Sequence, residues 1–169
     1  MNLIREIEIS YFRSFYKARL SNLDDFNVIF GKNDSGKSNV IRALNLFFNG
    51  KPDYAYPFEF PLDFCQSRAS EASSDNDIRK FLYVKITFNT PKNFQPSLGK
   101  IFSVKRQWTV SRGQAYNEEF SNNIPANKYH IATRFLNKIR FIHIPAIKDS
   151  KIFEQLLGMI HETLSNSTK

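Results

Sequence analysis

A single cysteine, Cys65, is all the chain contains, so no internal disulfide can form and no paired-cysteine spacing for structural zinc exists. Its thiol is expected to be buried and idle, in a reducing compartment. No uninterrupted apolar run approaches the roughly 20 residues of a membrane-spanning helix. The opening Met1-Asn2-Leu3-Ile4-Arg5-Glu6-Ile7-Glu8-Ile9 alternates charged and apolar positions and reads as neither signal peptide nor anchor. A soluble, cytoplasmic chain with no membrane partner is expected. Acids are scarce as well: 16 against 24 lysines and arginines, a formal charge of +8. Between Arg79 and Asn117 there is no acid at all, while Arg79, Lys80, Lys85, Lys92, Lys100, Lys105, Arg106 and Arg112 are cationic.

What is present is most informative at Gly31-Lys32-Asn33-Asp34-Ser35-Gly36-Lys37-Ser38, which matches the Walker A pattern of a phosphate-binding loop. An apolar run, Phe26, Val28, Ile29 and Phe30, precedes it as an expected buried strand, and a helical pattern opens at Ser38. Gly31 and Gly36 let the backbone curl so that its N–H groups point inward as an anion nest, and the helix adds its positive end. Lys37 is the expected catalytic cation on the β and γ phosphates, and the Ser38 hydroxyl the expected Mg²⁺ ligand. Asn33, Asp34 and Ser35 either line the nucleotide or serve only as small turn formers.

The 169 residues make one domain large enough for a real core. Residues 3 to 9 read as a half-exposed strand and Tyr11 to Leu20 as its hairpin partner. The helix spans about Ser38 to Asn49, with Val40, Ile41, Leu44, Phe47 and Phe48 on one stripe and Gly50 and Pro52 as the stop. An aromatic, irregular segment runs through Tyr54, Tyr56, Phe58, Phe60 and Phe64, and residues 66–77 read as a mobile surface loop. Phe81 to Asn89 and Ile101 to Val110 form a meander with a short strand near Tyr116 to Phe120. A short helix between Asn127 and Asn137, a strand at Ile139 to Ile144 and a terminal helix at 151–164 complete the order. No internal repeat is present.

A hairpin before the phosphate loop and a meander after its helix do not suit a stand-alone P-loop kinase or GTPase, the rival class. With Ile9-Ser10-Tyr11-Phe12-Arg13-Ser14-Phe15, Val28 through Asn39, and Val40-Ile41-Arg42-Ala43-Leu44, the first fifty residues resemble the amino-terminal half of an ABC-type ATPase head of the SMC/RecF/OLD-like superfamily. The resemblance implies an α/β P-loop NTPase fold, a mixed core sheet plus an antiparallel β subdomain. Residues 1–169 would be its amino-terminal lobe, with the remainder of the head downstream. It further implies that Arg13 sits near the nucleotide rather than in a solvated turn, that Asn33 and Asn39 occupy family asparagine positions, and that Ile139 to Pro145 joins the core sheet. Asp34 stands where many relatives carry glycine. The helix at 151–164 is read as an ordinary packed helix rather than a coiled-coil start.

The nucleotide-binding set is therefore Arg13, Gly31, Lys32, Asn33, Asp34, Ser35, Gly36, Lys37, Ser38 and Asn39, holding ATP and Mg²⁺. An apolar strand ending in an acid pair, which hydrolysis needs, is missing; Phe141-Ile142-His143-Ile144 runs into Pro145 instead. Ser111-Arg112-Gly113-Gln114 resembles the family's signature loop only by coincidence, and no glutamine follows the last strand as metal sensor. Such a piece is expected to bind ATP and hydrolyse it very slowly, with a second copy of the head completing the site. Lys85, Lys105, Arg106 and Arg112, beside Tyr83 or Trp108, are either a cationic DNA-binding face or a solvated sheet face balanced by acids elsewhere. Two functions stand: an ATPase half-head acting on DNA in repair, chromosome maintenance or anti-phage defence, or a nucleotide-sensing assembly module. In the second, effector or nuclease activity lies in another domain or partner chain.

Overall fold

The computed structural model describes residues 2–33, 35–53, 56–75, 78–121 and 123–144, together with positions 154, 157, 158 and 161. Those four isolated positions are helical, and the rest of the expected 151–164 helix lies outside the described residues, as does Asp34.

Alternation of apolar and polar residues builds the sheet. Strands β1 (Ile4–Phe12) and β2 (Phe15–Ser21) form a hairpin, and β3 (Phe81–Asn89), β4 (Ile101–Thr109) and β5 (Tyr116–Phe120) a meander. The order is β2-β1-β3-β4-β5 and every pairing is antiparallel. Because side chains alternate along a strand, registration puts Ile7 beside Ile86 and Val104, and Ile9 beside Val84, on one buried face. The opposite face carries Glu6, Glu8, Tyr83, Lys85, Lys105 and Glu119.

Helix α1 (Lys37–Asn49) covers the buried face. Its apolar stripe holds as expected, with Val40, Ala43, Leu44, Leu46 and Phe47 buried and Ile41 and Phe48 half-buried. Gly50, at φ 72°, ends it in the left-handed conformation, and its N–H donates to the Leu46 carbonyl at 3.0 Å. No basic residue lies in the last turn of α1. Arg106 of β4 takes that role: it donates to the Phe47 carbonyl, packs on the Phe47 and Tyr116 rings, and pairs with Glu118 at 2.7 Å. One-turn helix α2 (Phe60–Asp63) and α3 (Gln66–Ser74) follow; Phe58, Phe60 and Phe64 are buried and pin the aromatic segment, whereas Tyr56 is exposed and Tyr54 lies outside the described residues. After one-turn α4 (Gln95–Leu98), α5 (Tyr129–Leu136) sets Phe135 edge-on against Phe88, Phe94 and Phe102 at 5.2–5.4 Å. Cys65 is a buried free thiol.

Three expectations are corrected. Residues 26–30 are not a buried strand: they carry no strand structure, and Phe26, Val28 and Phe30 are 83%, 67% and 90% exposed. No strand among the described residues lies beside them, and an extended segment without a ladder has neither hydrogen-bond partners nor a face to bury. Ile139 to Ile144 forms no strand for the same reason, so it joins no sheet among the described residues; Phe141 stacks on Phe48, while Ile142 and Ile144 are exposed. Residues 66–74 are helix α3 rather than loop. Their serines turn inward on the helix, Ser70, Ser73 and Ser74 donating to carbonyls four residues back, and Arg68 pairs with Glu71 at 2.8 Å. Asn76 and Asp77, the end of that expected loop, lie outside the described residues.

Candidate nucleotide-binding site

The β1–β2 turn and the loop before α1 meet at one place. Tyr11 and Arg13 adopt positive φ, 58° and 47°, which turns the chain tightly and points the Ser14 hydroxyl at Gly36. Gly36 itself sits at φ 89° as the residue preceding α1, and a Cβ there would lie 2.6 Å from Ser14 Oγ. Only glycine fits this approach. Across the contact, Asn39 Nδ2 donates to Ser14 Oγ at 2.8 Å, and its backbone N–H donates to the Gly36 carbonyl at 2.8 Å.

Lys37 folds back over the loop, its ammonium donating to the Gly31 carbonyl at 2.8 Å and the Lys32 carbonyl at 2.5 Å. Gly31, Lys32, Asn33, Ser35 and Ser38 are exposed around it, and Lys37 and Asn39 are half-buried. The first N–H groups of any α-helix lack intrahelical acceptors. At α1 no side chain caps them and no acid occupies the first turn. A cavity of about 170 Å³ opens there, lined by Gly36, Lys37, Ser38, Asn39 and Arg42. N–H groups without a side-chain cap, one ammonium, one guanidinium and one exposed hydroxyl are a donor set suited to a polyanion with a divalent cation. The residues present therefore fit a nucleotide phosphate chain with Mg²⁺.

Arg13 reaches the site through carboxylates rather than lying free in solvent. Its Nε donates to Asp63 at 2.7 Å and its Nη1 to Asp53 at 3.3 Å, while Arg42 Nε pairs with the same Asp53 oxygen at 2.9 Å. Sequence reasoning missed Arg42, Asp53, Asp63 and Ser14 as site residues. Only Arg42 carried a signal, three residues after Asn39 and so on the same side of α1. His143 lies close to this group; burial pushes its imidazole below the usual value, Asp53 opposing the shift and Arg42 adding to it.

Of the cationic residues singled out in the sequence, only Lys85 and Lys105 are brought together. Lys85 and Lys105 are register partners on the outer sheet face, paired with Glu8 at 3.0 Å and Glu119 at 3.1 Å, and Lys105 lies over the Tyr83 ring. Arg106 points to the opposite, helix-covered face, Trp108 is 1% exposed in the core, and Arg112 sits in a 3₁₀ turn after β4. Strand parity thus turns Arg106 and Trp108 away from the face that Lys85 and Lys105 share.

A family model described as AAA ATPase domain matches residues 3–166. The chain belongs to the AAA ATPase domain family. The uncharacterised proteins MJECL44 and MJECL10 of Methanocaldococcus jannaschii are 43% identical over 49 residues and 38% identical over 53 residues. Those matches cover 29% and 31% of this ATPase domain chain but only 15% and 24% of the relatives, so it spans a fraction of their length. Among solved structures, an SMC ATPase described for ATP-driven dimerization and DNA stimulated activation aligns at TM-score 0.54 and 20% identity, over 98% of this chain and 99% of that one. The recombination mediator RecF aligns at TM-score 0.48 and 19% identity, over 72% of this chain and 27% of that one. The fold is thus like that of an SMC ATPase, α/β as the sequence leads one to expect, with the described strands in one antiparallel sheet. Among the described residues no helix is long and apolar enough to cross a membrane.

Proposed function

We propose that this ATPase domain holds ATP with Mg²⁺ at residues 31–39 and serves as the amino-terminal lobe, residues 1–169, of an SMC/RecF-like head that acts on DNA. One observation carries the reading: the Lys37 ammonium is curled over the Gly31 and Lys32 carbonyls at the uncapped start of α1, with the Arg13–Ser14 turn pressed onto Gly36. Phosphates would lie against the amides of that loop, Lys37 would neutralise the β and γ oxygens, and Ser38 would contribute a hydroxyl to the metal. Bound Mg²⁺ would supply charge neutralisation across those oxygens.

The exposed apolar run Phe26 to Phe30 supports a further lobe that lays a strand alongside it, since such a run on a finished surface is unfavourable. A second head completing the site accords with the SMC relative described for ATP-driven dimerization, and DNA as partner with its DNA stimulated activation. Repair, chromosome maintenance or antiviral defence is the expected setting, with any effector or nuclease carried elsewhere.

The test is titration of ATP with Mg²⁺ into wild type and Lys37→Ala, with turnover measured in a chain extended past residue 169. Binding lost only in the variant, and turnover found only in the extension, is expected. Equal binding by both proteins refutes the site. For DNA, an affinity for duplex that does not change with salt would remove Lys85 and Lys105 from the interface.

A further inference from the structure

The turn, the loop and helix α1 are joined by a closed ring of polar contacts. Ser14 Oγ accepts from Asn39 Nδ2 at 2.8 Å, Asn39 Oδ1 accepts from Arg42 Nη1 at 3.2 Å, and Arg42 Nε meets Asp53 Oδ2 at 2.9 Å. The same Asp53 oxygen accepts from Arg13 Nη1 at 3.3 Å, and Arg13 precedes Ser14, which closes the ring. Asp63 stands outside it as a fixed anchor. Its side chain is 3% exposed, Oδ1 accepts from Arg13 Nε at 2.7 Å, and Oδ2 accepts from the Glu59 N–H at 3.0 Å. Its backbone is fixed too: its carbonyl accepts from the Arg13 N–H at 2.8 Å, and the Cys65 N–H donates to Tyr11 at 2.9 Å.

The two carboxylates differ in how firmly they are held. Asp63 is buried within a helical turn and satisfied at both oxygens. Asp53 belongs to no helix or strand, its side chain is 22% exposed, and one oxygen serves both guanidinium groups. Arg42 also lines the cavity at the start of α1, so the pair that Asp53 neutralises borders the place where phosphate would lie. A single carboxylate shared by two cations is a weaker counter-ion than a triphosphate, whose oxygens offer more charge and more acceptors.

We infer that Asp53 is an internal counter-ion that occupies Arg13 and Arg42 and competes with nucleotide phosphate for them, so that it sets nucleotide affinity, while Asp63 is the positioning residue that keeps Arg13 beside the loop. The inference rests on the phosphate-loop reading above. Nucleotide entry exchanges the Asp53 contacts for phosphate contacts, while the Pro52 carbonyl keeps its bond from Asn45 Nδ2 of α1 at 3.3 Å. The ligand class is a nucleoside di- or triphosphate, with strength of competition rising with phosphate charge.

The experiment measures the affinity of Mg·ATP, Mg·ADP and adenosine for wild type, Lys37→Ala, Asp53→Asn, Asp53→Ser, the Arg13→Ala, Arg42→Ala double variant, and that double variant combined with Asp53→Asn. Each partly exposed pair is worth at most about fivefold, so Asp53→Asn should bind ATP roughly three- to tenfold more tightly. ADP should gain less and adenosine nothing, which a loosened loop would not produce. In the triple variant the gain should vanish against its own Arg13→Ala, Arg42→Ala parent. Asp53→Ser reads the same quantity without an amide in place of the carboxylate. ATP affinity in both Asp53 variants equal to or weaker than wild type, a gain equal for adenosine, or one surviving without the arginines overturns the inference. If Lys37→Ala nevertheless loses ATP, the phosphate-loop reading stands alone; if Lys37→Ala binds like wild type, both fall.

Discussion

Gly36→Ala tests the joint between the β1–β2 turn and the loop that leads into α1, and its cost can be worked from the geometry. Gly36 stands at φ 89°, where a residue with a Cβ loses about 1–2 kcal/mol. The new methyl would also lie 2.6 Å from Ser14 Oγ and 3.2 Å from two atoms of the Phe15 ring. Ser14 must therefore rotate away and give up its 2.8 Å bond from Asn39, a further loss of about 1 kcal/mol. The total is about 2–3 kcal/mol, which for a domain of this size lowers Tm by roughly 5–10 °C. Urea and thermal unfolding of wild type, Gly36→Ala, Ser14→Ala and the double variant form the assay. The hydrogen bond is counted in both single variants but lost only once in the double. The double variant should therefore be about 1 kcal/mol less destabilised than the sum of the singles. A Gly36→Ala stability within about 0.5 kcal/mol of wild type, or strict additivity, would refute the close approach of turn and loop.

His143 should titrate below its ordinary value of 6.5 because burial disfavours the imidazolium, and NMR of the ring protons reads this directly. The sign follows: the contribution to stability is complete above pH 6.5 and is lost as pH falls through the lower folded value, a loss that His143→Gln abolishes. Arg42→Ala should raise the His143 value and Asp53→Asn lower it; a ring that titrates at or above 6.5 contradicts the packing. Phe30→Ser, at a side chain 90% exposed, should change the unfolding free energy read from urea titration by less than about 0.5 kcal/mol, whereas Phe47→Ala, at a fully buried ring, should cost about 3–5 kcal/mol. Equal costs would mean that residues 26–30 are packed in solution.

Local pattern carried most of the fold. The alternation in β1, β3 and β4, the stripe along α1 and the glycine that ends it are each decided within a few residues, so period and cap chemistry suffice to read them. The turn into α1 was legible for the same reason, since the glycines, lysine and serine of residues 31–38 lie within one short stretch. Residues 26–30 and 139–144 defeated the same logic. Their apolar content is real, but a strand exists only where another strand supplies the ladder, and that partner is not encoded in the segment itself. Helix α3 failed in the opposite direction: its serines suggested a loop, yet their hydroxyls found acceptors one turn back and Tyr16 of β2 tied Glu71 down at 3.0 Å.

Adjacent cations show where composition stops being informative. Lys105 and Arg106 are neighbours in a stretch without acids, and counting charge treats them alike. Strand parity sends them to opposite faces. Lys105 goes outward to Glu119 and the Tyr83 ring; Arg106 goes inward, where its fork satisfies Glu118 and an end-of-helix carbonyl between two aromatic rings. The acids of both cations come from β5, the next strand across, so these two charges are compensated once the meander folds. The outer row therefore reads Arg19, Glu8, Lys85, Lys105, Glu119 across the sheet, alternating enough that long-range attraction for a phosphate backbone is modest. On the proposed reading, DNA affinity at this face comes from exchanging those internal pairs for phosphates, the same kind of competition inferred for Asp53. Lys85→Glu should then weaken duplex binding and flatten its salt dependence by about one phosphate contact, whereas Arg106→Ala should lower stability without altering the salt slope.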